Sequence, residues 1–62
     1  MIHYIVFGRG GSFIVTAESK AHAIQLVMIH TDTIGQPTWQ ANPLDSYSQK
    51  TRAELIAESV AL

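Results

Sequence analysis

Leu26, Val27, Met28 and Ile29 are four consecutive large apolar residues inside a stretch whose pattern predicts a helix. Successive residues of a helix are turned by about 100°, so the four side chains point in directions that no single core can cover. One side of that helix needs a partner beyond its own sheet. The feature points to an oligomer, or to a surface that receives another molecule.

The segments on either side define the rest of the scaffold. Residues 2–7 and 12–17 are rich in Ile, Val, Tyr and Phe and are separated by Gly8-Arg9-Gly10-Gly11, which predicts a β-hairpin. Ile2, Tyr4 and Val6 alternate with His3, Ile5 and Phe7, and Phe13 and Val15 with Ile14 and Thr16, so both faces of the hairpin are largely apolar. One helix covers only one of them. Ser19 is a suitable N-cap for a helix from residue 20 to about 30. Helical spacing places Ala23, Ile24, Val27 and Met28 toward the hairpin and Leu26 and Ile29 outside that stripe, beside His22 and Gln25. The segment 31–50 holds Gly35, Pro37 and Pro43 and is long for a structureless loop, so part of it, over 38–41, is expected to extend along the sheet edge as a third strand. Thr51-Arg52-Ala53-Glu54 has the form of a capping box and predicts a final helix through Leu55, Ile56 and Val60. In that helix Ala53, Ile56, Ala57 and Val60 form one stripe, with Leu55 and Leu62 off it. The fold class expected is α+β, a single domain over 1–62 in the order ββα(β)α.

Size and composition sharpen the partner argument. A 62-residue chain buries only about 60% of the surface its unfolded form exposes, and this one has no cysteine to supply a disulfide or a thiolate zinc site. Charged residues make up 15% and apolar residues 47%, so the surface is poor in charge. The net charge of −1 argues against a protein that neutralises nucleic-acid phosphates. No signal-peptide pattern opens the chain and no apolar run reaches the roughly 20 residues of a membrane span, so a cytoplasmic protein without membrane contact is expected.

Few residues carry chemistry. His22 and His30 are separated by about 12 Å of helical rise, too far to share a metal within one protomer, and His3 has no ligand partner in a recognisable spacing. His30-x-Asp32 lacks a nucleophile, and the acidic residues are dispersed, so neither catalysis nor a cofactor or metal is expected. Arg9, Gly10 and Gly11 offer a guanidinium and backbone N–H groups to an anion, and Trp39 and Tyr47 offer stacking surface. These five are the candidate ligand-binding residues, for a small anionic or nucleotide ligand held between subunits. Leu26, Ile29, Leu55 and Leu62 are the candidate oligomer interface.

The succession of strand, glycine turn, strand and Ser-capped helix, with Val15-Thr16-Ala17-Glu18-Ser19 leading into Ala21-His22-Ala23-Ile24, resembles small accessory proteins of bacteriophages over about half the chain. That resemblance implies action on host machinery, including bacterial immune pathways, by sequestering a signalling nucleotide or by docking on a host protein. The pattern contains no functional motif, so no residue role follows from it.

Overall fold

The computed structural model describes residues 1–33 and 39–62. Two strands, β1 (Ile2–Gly8) and β2 (Gly11–Ala17), form the expected antiparallel hairpin, followed by helix α1 (Lys20–Thr31). A third strand, β3 (Gln40–Pro43), pairs antiparallel with the free side of β1. It lies at the sheet edge as expected but two residues later, and Thr38, inside the expected span, lies outside the described residues. A turn of 3₁₀ helix at Leu44–Ser46 leads to α2 (Gln49–Glu58), and β4 (Val60–Ala61) then pairs parallel with β2. The result is a small α+β domain with a four-stranded mixed sheet in the order β3-β1-β2-β4.

The pairings place the helices. β1 is antiparallel to both neighbours and β4 is parallel to β2, so β2, β3 and β4 all run the same way. The chain passes from β2 through α1 to β3, moving across the sheet in one direction, and from β3 through α2 to β4, moving back. Right-handed crossovers in opposite directions put the two helices on opposite faces.

Burial shows the central strand covered on both faces. Tyr4, Val6, Phe13, Val15, Ala17 and Ala41 form one core with Ala23 and Val27 of α1 and with Trp39. Ile5 points to the other face, opposite Ile14 and Asn42, yet is only 1% exposed. The buried Leu44 likewise lies outside the α1 core, and its 3₁₀ turn packs against β1. The central strand is thus buried on both sides, which explains its unbroken apolar run.

Helix α1 starts where its cap dictates, the Ser19 Oγ accepting the His22 N–H at 3.1 Å. It stops in a Schellman arrangement, in which the Thr33 N–H donates to Met28 O and the Asp32 N–H to Ile29 O, with Asp32 left-handed at φ 56°. Ala23 and Val27 are fully buried, whereas Ile24 and Met28 are half-buried. The helix is rotated relative to the expected stripe, so Leu26 packs against the core edge instead of standing outside it, and Ile29 remains outside at 57% exposed. The His30 ring, edge-on to Phe13 at 5.9 Å, marks the direction of that rotation.

The capping box does not start α2. Ser48 is the cap, three residues earlier, accepting the Thr51 N–H at 3.3 Å and donating to Thr51 Oγ1 at 2.9 Å. Thr51 therefore sits in the first turn, and Glu54 is released from a capping role. The half-buried residues of α2 include Thr51, Arg52 and Leu55, while Ala53, Ile56 and Ala57 are exposed, so the helix presents the side opposite to the expected stripe. Leu55 accordingly contributes to contacts within the protomer. Val60 leaves the helix altogether, because Ser59 is extended and the following residues add to β2.

Candidate functional site

The hairpin turn and Trp39 meet, although not as a ligand site. A Cβ on Gly8 would lie 2.7 Å from Trp39 Cε3 and one on Gly10 3.3 Å from Trp39 Cη2, so both glycines provide a close bed for the indole. The left-handed conformation falls instead on Gly11, at φ 118°, where the chain leaves the turn for β2. Phe13 packs edge-on to Trp39 with ring centroids 5.8 Å apart. The indole is 7% exposed.

Its remaining polar atom is also engaged. Trp39 Nε1–H donates to Thr33 Oγ1 at 2.8 Å, Thr33 Oγ1 lies 2.8 Å from Thr31 Oγ1, and Thr31 Oγ1 donates to Val27 O at 2.8 Å. Since Thr31 gives its proton to the carbonyl, Thr33 is the donor between the two hydroxyls. The chain of bonds runs one way, from indole to helix end, and such a chain is mutually reinforcing. Trp39 is therefore a lid on the core, and stacking on a nucleobase would require displacing the turn.

The other expected ligand residues are dispersed. Tyr47 is half-buried and its hydroxyl accepts from Asn42 Nδ2 at 3.0 Å, in the chain that follows the 3₁₀ turn. Arg9, Gly10 and Gly11 are exposed at the hairpin tip. Among the described residues no cavity of ligand size opens, no group of three His, Asp or Glu residues gathers around a metal position, and no helix is long and apolar enough to cross a membrane. His3 Nδ1 lies 2.9 Å from Thr16 Oγ1 across the hairpin, and His22 Nδ1 accepts the Glu18 N–H at 3.3 Å, so both are in local contacts.

The surface is distinctive for apolar side chains left in water. Besides Met1 and Ile2 at the start of the chain, Ile29 on α1, Ile56 on α2, and Val60 and Leu62 on the β4 side are about half exposed, at 57%, 52%, 54% and 46%. Of the four expected interface residues, Ile29 and Leu62 are among these, and Leu26 and Leu55 are half-buried. Sequence reasoning missed Val60, having placed it in a helix. The signal was present in Ser59-Val60-Ala61-Leu62, an uncharged stretch with a β-branched residue after the last acidic group, Glu58.

No family model, curated protein or solved structure matches this chain.

Proposed function

We propose that the chain is a non-enzymatic binding protein that works as an assembly of its own copies. The observation that carries this reading is the exposure of Ile29, Ile56, Val60 and Leu62 on a domain with 15% charged residues and no cysteine. A domain of this size has a thin core, and covering such groups with a second copy adds buried apolar area at about 25 cal/mol per Å² removed from water. With Trp39 and Tyr47 engaged, only Arg9 and the backbone of the turn are left to meet a small anion.

Light scattering on the purified chain tests the reading. The expected mass is a multiple of the 6.8 kDa protomer, reduced in Ile29→Glu. A mass of one chain for the unaltered protein at every concentration overturns it.

A further inference from the structure

The two edges of the sheet are guarded differently. At one edge β3 ends in Pro43, which has no N–H to offer a further strand, and the chain turns at once into the 3₁₀ helix. At the other edge Ser59-Val60-Ala61-Leu62 carries neither proline nor a charged side chain. The Leu62 N–H donates to Ile14 O at 2.9 Å, and in a parallel ladder alternate residues of a strand bond the same neighbour. Val60 and Leu62 therefore turn their peptide groups toward β2, while the N–H and C=O of the exposed Ala61 point away from the sheet.

Building on the self-association reading, we propose that a second copy of this chain joins edge to edge along β4, antiparallel, about a twofold axis through Ala61. Each Ala61 N–H donates to the C=O of its counterpart, and the two sheets become one of eight strands. The pairing is self-complementary: it sets Val60 opposite Leu62 of the other copy twice, on the α1 side of the sheet, joining four half-exposed apolar groups.

The helix α1 supplies the wall. It packs over β1, β2 and β3, and its His30 ring touches Phe13, the register partner of Val60, so the C-terminal turn of α1, next to Ile29, lies over the strand that adjoins β4. A standard interface takes about 800 Å² from each partner, roughly a fifth of the 4163 Å² exposed by one protomer. A strand this short does not reach that area unaided. Ile29 and Leu26 of the two copies close over the Val60 and Leu62 pairs and make up the difference.

The test is sedimentation over a concentration series with the unaltered chain, Ala61→Pro, Val60→Lys and Ile56→Glu, with amide exchange at Ala61. The proposal expects a dimer whose Ala61 amide is protected, an Ala61→Pro variant that is folded and monomeric, and an Ile56→Glu variant that remains dimeric. Val60→Lys, which leaves every backbone bond in place, serves if proline disturbs the strand. Its dissociation constant is expected to rise at least about tenfold, because the ammonium would be buried unpaired. A dimer that survives both Ala61→Pro and Val60→Lys, or whose Ala61 amide exchanges freely, overturns the edge pairing and leaves self-association through another face. A chain that is monomeric throughout overturns both.

Discussion

At the scale of single residues, the glycine turn was legible in the sequence but two of its reasons were not. A Gly-rich connection between two apolar runs announces a hairpin, whereas the need for glycine at 8 and 10 arises from Trp39, a residue distant in sequence that packs on the turn. The same contact explains why Trp39 and the turn were both singled out as ligand groups: an aromatic and a bare backbone suit a ligand and suit each other equally well. Gly8→Ala is expected to destabilise the fold by about 1–3 kcal/mol, the usual cost of overpacking, with a change in tryptophan emission, both read in urea titrations. A loss near zero would mean the indole is free to move away. Asp32 places a carboxylate at the C-terminal end of α1, against the helix dipole, in a left-handed conformation that asparagine also tolerates. Asp32→Asn is expected to raise stability by about 0.3–1 kcal/mol at low ionic strength, and a lower melting temperature would contradict that assignment.

Among elements, β1, β2 and α1 were legible nearly to the residue, because periodicity and the Ser19 cap act locally. The second half was read less well, and the reasons are specific. Ser48 and Thr51 both satisfy a cap pattern, and Ser48, two residues after the 3₁₀ turn at Leu44–Ser46, is the one that caps the helix. β4 exists through its pairing with β2, a contact between distant segments that local propensity does not encode. The Asp45–Arg52 ion pair at 3.2 Å, with Asp45 largely exposed, adds little to α2, about 0–1 kcal/mol. What covers Ile5 is therefore the sharper test of the second crossover. Ile5→Ala is expected to cost about 2–5 kcal/mol in chemical denaturation although Ile5 faces away from α1. A cost under about 0.5 kcal/mol would leave that face of the sheet uncovered.

For the whole molecule, the run from Leu26 to Ile29 predicted more apolar surface than one core absorbs, and the fold redistributes that surplus without removing it. Rotation of α1 draws Leu26 toward the core and α2 turns Leu55 inward, while Ile29, Ile56, Val60 and Leu62 stay exposed, as do Met1 and Ile2 at the start of the chain. The apolar groups of the second half could not be assigned sides until the crossover from β3 to β4 was known. The central claim is that the chain's stability is inseparable from its contact with further copies, and mass action gives a direct reading of it. The decisive measurement is the melting temperature of the unaltered chain over a roughly hundredfold range of concentration, followed by circular dichroism. Self-association predicts a melting temperature that climbs steadily with concentration; a value independent of concentration, together with the mass of a single chain, would contradict it.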